Sequence, residues 1–384
     1  MVSDRPLKIG IVCDPSVSIS GSGILATRLG EELAHRGHEI HFITYERPFR
    51  LRLDLPRTYF HPVHIKDYIY FKYPDYVLPL SVKMAEVSRD HLLDVLHVHY
   101  AVPHATAAIL ARSMLPPDQQ PLVVTTLHGT DTLILGRDPG YGPAIRYAVN
   151  CSDAVTTVSA YLQGETRRLV GDVRPIEVIY NFFIPRVPTR SRQHVRRELG
   201  IDDSQVMVIH LSNLRPLKRV DLLLEVAARI RPRDAFKLVI LAGDNFAPFA
   251  GDVQRLGLED RVVIRERVDD IEEYLQASDL GMFTSETESF CLGILEVMWF
   301  ASPSVATSVG GIPEVIENNA TGILVPFGDV NALVRAAEAL IQDPTRRVAL
   351  GQAAQQRARK YFSADVIVPR YEALYRRALD RQMP

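Results

Sequence analysis

The chain has 384 residues, of which 47% are hydrophobic and 23% are charged, and its formal net charge at pH 7 is −2. This length exceeds what one hydrophobic core usually serves, so we expect two domains. The near-neutral charge argues against a nucleic-acid partner bound by bulk charge, and no apolar stretch is long enough to predict an integral membrane segment.

The three cysteines, Cys13, Cys151 and Cys291, stand far apart and lack the spacing of metal ligands. This usage is typical of proteins in a reducing compartment. The first residues lead directly into a predicted strand and show no signal-peptide pattern. We therefore predict a cytoplasmic protein.

The chain opens with a βαβ unit, which begins a doubly wound parallel sheet. Its parts are a strand over 7–13, a helix from the loop Gly21-Ser22-Gly23 through Leu33, and a strand over 39–44. The glycine spacing is not Gly-x-Gly-x-x-Gly, because Ala26 stands in the third place, and Thr44-Tyr45 replace the expected ribose-binding acid. A nicotinamide-dinucleotide site is therefore disfavoured.

Segment 48–75 predicts one strand and an irregular loop, after which strands and helices alternate. The strands are predicted over 95–99, 122–127, 154–158 and 176–179, with helices after Pro103, around 141–149 and from Ser159. Ligands of such sheets bind beyond the carboxyl ends of the strands. Tyr100, Thr126 and His128 stand at those ends, and Arg146 stands on the helix that follows.

A proline- and charge-rich stretch, 184–191, interrupts this pattern and is interpreted as a linker. A second α/β domain follows, with strands predicted over 206–211, 236–242, 262–264, 279–283, 303–306 and 322–325, then helices over 346–360 and 364–380. We predict domains over 1–183 and 184–363, with the C-terminal helix, 364–384, packing back onto the first.

Three loops of the second domain carry chemistry that suits a ligand with both hydroxyls and phosphates. Lys218 and Arg219 precede a helix, where cations are unfavourable unless an anion is bound. Stretch 284–298 places Glu288 at the start of a helix, beside N–H groups that suit an anion, and Glu296 two turns inside. Gly310-Gly311 precede a third helix. Each loop alone is also typical of an ordinary helix start, so the combination supports the interpretation.

The two α/β domains, the Lys218 loop, the spacing from Glu288 to Glu296 and Gly310-Gly311-Ile312-Pro313-Glu314 resemble the retaining glycosyltransferases of family 4. That resemblance implies an α/β protein with the GT-B fold, in which two doubly wound Rossmann-like domains face a central cleft. Segments 21–23, 36–44, 97–105, 125–131 and 212–215 resemble, more closely, the N-acetyl-α-D-glucosaminyl L-malate synthases of bacillithiol biosynthesis.

The resemblance implies transfer of N-acetylglucosamine from UDP-GlcNAc to the hydroxyl of L-malate, with retention at the anomeric carbon. It implies roles near the reaction for His128, Glu288 and Lys218. It implies donor contacts from Gly23, Asn213, Arg215, Lys218, Arg219, Glu288, Phe290, Cys291, Leu292 and Glu296. Malate carries two carboxylates, and we expect Ser22, Tyr100, Thr126 and Arg146 to bind them.

In this family the leaving phosphate is usually held to accept the proton of the acceptor, so we assign no protein base. We expect no cofactor and no metal ligand set, because no Asp-x-Asp pair is present and the Lys218 loop could replace a metal. A homodimer is left open.

The sequence departs from the family pattern at Cys291, where glycine is common, and at Phe300-Ala301, where a Cys-Gly pair is common. Four alternatives remain open. They are another family 4 transferase with an inositol phosphate or lipid acceptor, a UDP-GlcNAc 2-epimerase, a non-catalytic nucleotide-sugar binder and, with less support, an NAD-dependent oxidoreductase.

Overall fold

The computed structural model describes residues 5–14, 21–65, 76–171 and 175–382. The chain divides into two compact units, residues 1–181 with 364–384 and residues 182–363. Each unit contains one parallel β-sheet with its own helices. None of the described helices is long and apolar enough to cross a bilayer.

The sheet of the first unit has seven strands. They are β1 (Lys8–Val12), β2 (Glu39–Thr44), β3 (Thr58–Pro62), β4 (Val95–His99), β5 (Leu122–Leu127), β6 (Ala154–Thr157) and β7 (Ile176–Val178). Their order is β3-β2-β1-β4-β5-β6-β7. Every residue of β4 and β5 is buried, because a central strand of a parallel sheet is covered on both faces. This burial explains why these strands are nearly continuous apolar runs in the sequence.

Among the described residues, five α-helices connect these strands, namely α1 (Gly21–His35), α2 (Val77–His91), α3 (Thr106–Ser113), α4 (Gly142–Cys151) and α5 (Ala160–Val170). Helix α2 is not predicted from the sequence, and Tyr76 at its start supplies no capping hydrogen bond. The strand predicted within 48–75 is β3, and the second part of that segment, 66–75, lies outside the described residues.

The sheet of the second unit has six strands. They are β8 (Val206–Ser212), β9 (Phe236–Ala242), β10 (Val262–Glu266), β11 (Leu280–Phe283), β12 (Ser304–Thr307) and β13 (Gly322–Val325), in the order β10-β9-β8-β11-β12-β13. The helices of this unit are α6 (Arg192–Glu198), α7 (Val220–Arg229), α8 (Ala250–Arg255), α9 (Ile271–Ala277), α10 (Leu292–Trp299), α11 (Ile312–Val315), α12 (Val330–Gln342) and α13 (Pro344–Phe362).

The predicted strands of both halves are confirmed, with ends that differ by a few residues at most. The strand order reverses between β1 and β4 in the first sheet and between β8 and β11 in the second. Doubly wound sheets bind ligands at such a reversal, outside the carboxyl ends of the strands.

The C-terminal helix, α14 (Ala364–Gln382), belongs to the first unit. Its Tyr371 and Tyr375 are buried, and the Tyr375 hydroxyl lies 2.7 Å from His97 Nδ1 in β4. Glu372 Oε1 lies 2.9 Å from His38 Nε2, in the turn between α1 and β2. Both ends of the chain therefore build this unit.

The stretch interpreted as a linker, 184–191, is held against the second unit by two carboxylates of α9. The Arg186 N–H donates to Glu272 over 3.2 Å, and the Thr189 N–H and hydroxyl donate to Glu273 over 2.7 and 2.8 Å. These backbone N–H groups lie outside regular secondary structure, and the two glutamate side chains supply the acceptors that they need. The stretch is a packed part of the second unit.

Candidate active site

In the second unit, the three loops that carry the predicted donor residues follow β8, β11 and β12. These strands lie side by side in the sheet, with β8 and β11 at the reversal of strand order. Parallel strands end at the same edge, so the loops at 213–219, 284–291 and 308–311 share one side of the second sheet.

Lys218 and Glu288 form the central contact between two of these loops. Lys218 Nζ donates to Glu288 Oε1 over 2.6 Å, and the Ser285 hydroxyl donates to the same oxygen over 2.8 Å. The Glu288 side chain is only 7% exposed, so each charge needs the other. Burial acts to lower the pKa of Lys218, but the charge and hydrogen bond of Glu288 outweigh it and raise the pKa above its ordinary value. Lys218 is therefore a stable cation at neutral pH.

The two glycines of the third loop pack against the backbone of Glu288. The Gly311 N–H donates to the Glu288 carbonyl oxygen over 2.9 Å. Gly310 has a φ of +55°, and a Cβ added there would lie 1.9 Å from that same oxygen. Glycines before a helix are predicted to bring bare backbone close to a ligand, whereas the group that these two approach in the structure is the backbone of Glu288.

Three polar residues of the loop after β8 were predicted to bind the diphosphate. Asn213 Oδ1 is buried and has no hydrogen-bond partner. Arg215 is exposed. The Arg219 guanidinium donates to Asp221 over 2.8 to 3.3 Å and lies 5.5 Å above the Phe327 ring. The unmatched Asn213 oxygen accepts hydrogen bonds, so a phosphate would have to bind the NH₂ of that amide, whereas Arg219 already has an anionic partner.

The loop from Glu288 ends at the first turn of α10, where N–H groups lack acceptors within the helix. Cys291 precedes the helix with a φ of 74°, in the left-handed region that favours glycine. Phe290 is buried with its ring edge-on to Phe362, and Leu292 is the first residue of the helix. Glu296 is half-buried on the second turn. The backbone at Cys291 therefore has a conformation that glycine adopts without strain, at a position where the family pattern noted above commonly has glycine.

The Cys291 thiol is buried, and burial together with the nearby Glu288 carboxylate raises its pKa well above the ordinary value. Burial likewise raises the pKa of Cys13 to about 12. A protonated thiol is a poor nucleophile.

We therefore expect a thiol-specific reagent at pH 7 to label only the half-buried Cys151 rapidly in the native protein. Labelling followed by peptide mass mapping checks this, with the unfolded protein, in which all three must react, as the control. Rapid native labelling of Cys291 would contradict the described packing.

In the first unit, three predicted residues lie together at the ends of β4 and β5 and the start of α1. The Ser22 hydroxyl lies 2.7 Å from the Tyr100 hydroxyl. The Tyr100 and His128 rings are 5.2 Å apart between centroids. His128 Nε2 lies 2.8 Å from His99 Nδ1. The structure thus brings Ser22, Tyr100 and His128 into one polar cluster.

The histidines in and behind this cluster are neutral at physiological pH. Burial lowers the pKa of His97 and of His128 to about 3, and it lowers the pKa of His99 well below the ordinary value. His128 can therefore donate or accept a hydrogen bond, but it does not carry a proton to release as a general acid at pH 7.

Thr126 was predicted to bind the acceptor, but its side chain lies inside the sheet. It is fully buried within β5, and its hydroxyl lies 2.7 Å from both His97 Nε2 and Thr156 Oγ1. Its carbonyl oxygen accepts from the Tyr100 N–H over 2.9 Å. Thr126 supports Tyr100 from inside the sheet, because strand alternation points its side chain into the core.

The remaining predicted residues of this unit lie on helices. Gly23 is buried in the first turn of α1, and its carbonyl oxygen accepts from the Thr27 hydroxyl over 2.9 Å. Arg146 is exposed on α4, which packs against the segment that follows Tyr100. Its guanidinium is therefore accessible to an anion.

The sequence analysis assigns no role to Asp131, which joins the loops after β4 and β5. Its buried carboxylate accepts N–H groups of Ala101 over 3.0 Å, Thr132 over 3.1 Å and Gly129 over 3.3 Å. Burial, opposed by these hydrogen bonds, raises the pKa of Asp131. The position of Asp131 in the polar run after β5 could have suggested a role. Its contact with Ala101, 30 residues earlier, could not be predicted from the sequence.

Two protein families match the chain, Glycosyltransferase Family 4 over residues 19–185 and Glycosyl transferases group 1 over residues 191–357. The N-acetyl-alpha-D-glucosaminyl L-malate synthase of Bacillus anthracis is 43% identical over 371 residues, which cover 96% of each chain. These matches confirm the predicted family and that the protein is a glycosyltransferase.

Two solved structures share the fold at low sequence identity. Sucrose-phosphate synthase from Thermosynechococcus elongatus has a TM-score of 0.80 at 20% identity and covers 98% of this chain and 100% of its own. Anabaena HepE in complex with UDP has a TM-score of 0.76 at 21% identity and covers 96% and 99%. The predicted fold class, two Rossmann-like parallel-sheet domains of the GT-B type, is confirmed.

Proposed function

This chain belongs to the same glycosyltransferase family as the Bacillus anthracis synthase, and from that premise we propose that it transfers N-acetylglucosamine from UDP-GlcNAc to L-malate. The reaction retains the configuration at the anomeric carbon and makes the first intermediate of bacillithiol biosynthesis. The name of that relative supports the sugar and the acceptor, and the UDP complex of HepE supports a uridine nucleotide.

The observation that carries the proposal is the Lys218–Glu288 contact of 2.6 Å at the entrance to α10. A cation, a carboxylate and the N–H groups of a helix start together match a ligand that has both phosphates and hydroxyls. We assign the diphosphate to Lys218 and Asn213, with Arg215 and Arg219 assisting and Gly23 contributing its backbone. We assign sugar and phosphate contacts to Glu288 and to the N–H groups of Phe290, Cys291 and Leu292. Glu296 binds the ribose hydroxyls.

The chemistry that follows is stabilisation of the departing UDP. The bond from the anomeric carbon to the β-phosphate oxygen breaks, and negative charge grows on the diphosphate, where the Lys218 cation lowers the barrier. The malate hydroxyl attacks from the face that UDP leaves, and its proton passes to the leaving phosphate. Neutral His128 hydrogen-bonds the sugar, and Glu288 positions the sugar without acting as a nucleophile.

We assign malate to the first unit, where Ser22 and Tyr100 offer hydroxyl donors and Arg146 offers a guanidinium. A guanidinium binds a carboxylate through two parallel hydrogen bonds. Thr126 does not contact malate in this assignment; it positions Tyr100 by accepting the Tyr100 N–H. We further propose that the enzyme works in the cytoplasm, in keeping with three cysteines that form no disulfide.

The test is UDP release from UDP-GlcNAc with a panel of acceptors, namely L-malate, D-malate, other hydroxy acids, an inositol phosphate and water alone. We expect turnover with L-malate and an α-linked product by NMR. Turnover with the inositol phosphate but none with malate would replace the acceptor and leave the donor assignment standing. Free UDP formed equally without an acceptor would refute transfer.

Arg146→Ala is expected to raise the KM for L-malate by about 10- to 100-fold, because a charged hydrogen bond contributes about 1.5–3 kcal/mol. The KM for UDP-GlcNAc should stay within twofold. Arg167→Ala, which removes an exposed arginine from α5 of the same unit, is the matched control and should change neither constant. Steady-state kinetics in both substrates measure the effect. An unchanged malate KM in Arg146→Ala would remove Arg146 from the acceptor site.

A further inference from the structure

Three histidines of the first unit that take no part in the proposed reaction converge on one point. They are His41 in β2, His61 in the edge strand β3 and His91 at the end of α2. One nitrogen from each lies within 4.8 Å of the other two. His41 Nδ1 and His61 Nε2 are 2.9 Å apart. Two nitrogens bound to one tetrahedral zinc ion are about 3.3 Å apart, so small side-chain rotations would suffice to bind a metal.

A carboxylate stands behind this cluster in the position that metal-binding histidines use. Glu39 Oε1 lies 3.0 Å from Nε2 of His41, on the side of the ring opposite to His61. Metal-ligating histidines almost always donate their second N–H to such an acceptor, which fixes the tautomer and leaves the other nitrogen to bind the metal. Glu39 therefore prepares His41 Nδ1 as a ligand.

The surroundings leave the ligand set accessible. His61 and His91 are only half-buried, which leaves a path for an ion. The nearby cation Lys83 is paired with Glu86 over 2.6 Å, which offsets its charge.

We propose that His41, His61 and His91 form a site for a divalent transition ion of the zinc class, with water at the fourth position. Imidazole nitrogens suit Zn²⁺, Co²⁺ and Ni²⁺, whereas Mg²⁺ takes oxygen ligands. His91 lies near the start of β1, because its carbonyl oxygen accepts from Lys8 Nζ over 2.9 Å, whereas His41 and His61 lie within β2 and β3. The residues assigned to the reaction lie at the carboxyl ends of the strands. The ion would join β2, the edge strand β3 and α2 through one histidine of each.

The test uses full-length, tag-free protein stripped with a chelator and titrated with Zn²⁺, Co²⁺ or Mg²⁺. We expect one Zn²⁺ per chain by calorimetry and elemental analysis, visible ligand-field bands with Co²⁺, and no binding of Mg²⁺. Saturating Zn²⁺ should raise the melting temperature by about 5 °C. His61→Ala and His91→Gln should each lose at least about tenfold in affinity and the Co²⁺ bands, and Glu39→Gln should lose about tenfold.

His35→Ala is the matched control, because it removes an exposed histidine from α1 of the same unit. It should bind Zn²⁺ like the wild-type protein. Circular dichroism of each stripped variant checks that it is folded. Stoichiometric binding that His61→Ala and His91→Gln leave unchanged would overturn the proposal, and so would the absence of Zn²⁺ binding to the wild-type protein. Neither result would bear on UDP release, so this proposal fails separately from the proposed function.

Discussion

Lys218→Met is expected to lower kcat by about 10²- to 10³-fold, because the variant lacks the cation assigned to the charge that develops on the departing diphosphate. The methionine keeps most of the apolar stem of the lysine, so packing changes little. Rates of UDP release under saturating UDP-GlcNAc and L-malate measure the effect, and the melting temperature measures the accompanying loss of stability.

Part of any loss in Lys218→Met comes from leaving the buried Glu288 carboxylate without its cation. Breaking a buried ion pair costs about 3–5 kcal/mol, whereas replacing both partners by neutral groups is often nearly neutral. We therefore expect the double variant Lys218→Met/Glu288→Gln to recover the melting temperature but not the rate. If the double variant also recovered the rate, the cation would have no role in the chemistry.

Gly310→Ala is expected to destabilise the second unit by about 3 kcal/mol and to abolish tight UDP binding. Two effects add: alanine at a φ of +55° is strained, and its Cβ would lie 1.9 Å from the Glu288 carbonyl oxygen. That oxygen belongs to the residue assigned to the sugar, so the displacement reaches the donor site. Denaturant unfolding and calorimetric titration with UDP measure the two consequences.

Gly328→Ala separates the two effects. Gly328 has a φ of +89°, but a Cβ there would meet nothing within 4 Å. We expect this control to cost about 1 kcal/mol through backbone strain alone and to bind UDP normally. Equal stability losses in the two variants would mean that the loop at Gly310 moves aside readily and does not hold Glu288.

The sequence predicts the fold class well because the folding signals of a parallel sheet are local. The buried strands are apolar runs of four to seven residues, and helices α5, α6, α12 and α13 begin at a Ser or Asp whose side chain caps the first turn. Helix α2, which is not predicted from the sequence, begins at Tyr76 without a side-chain cap. The loops that form the candidate site could be predicted for a related reason. Ligands of a parallel sheet bind beyond the carboxyl ends of its strands, so a predicted strand also identifies the loop that follows it.

The contacts within each site required the structure. Lys218 and Glu288 are 70 residues apart, and Ser285 shares the same carboxylate oxygen. The sequence gives no indication that Gly310 packs on the Glu288 backbone. Thr126 and Tyr100 both stand near strand ends in the sequence, which does not show that Thr126 is buried whereas Tyr100 contacts Ser22.

The amino-acid sequence by itself determined the two α/β halves, the glycosyltransferase family and the loops that carry its motifs, because periodicity and short motifs depend on neighbours along the chain. Only the tertiary structure decided which side chains meet: Lys218 with Glu288, Asp131 with the loop after β4, and His41 with His61 and His91. These contacts depend on the order of strands in each sheet, which brings residues tens of positions apart to one edge.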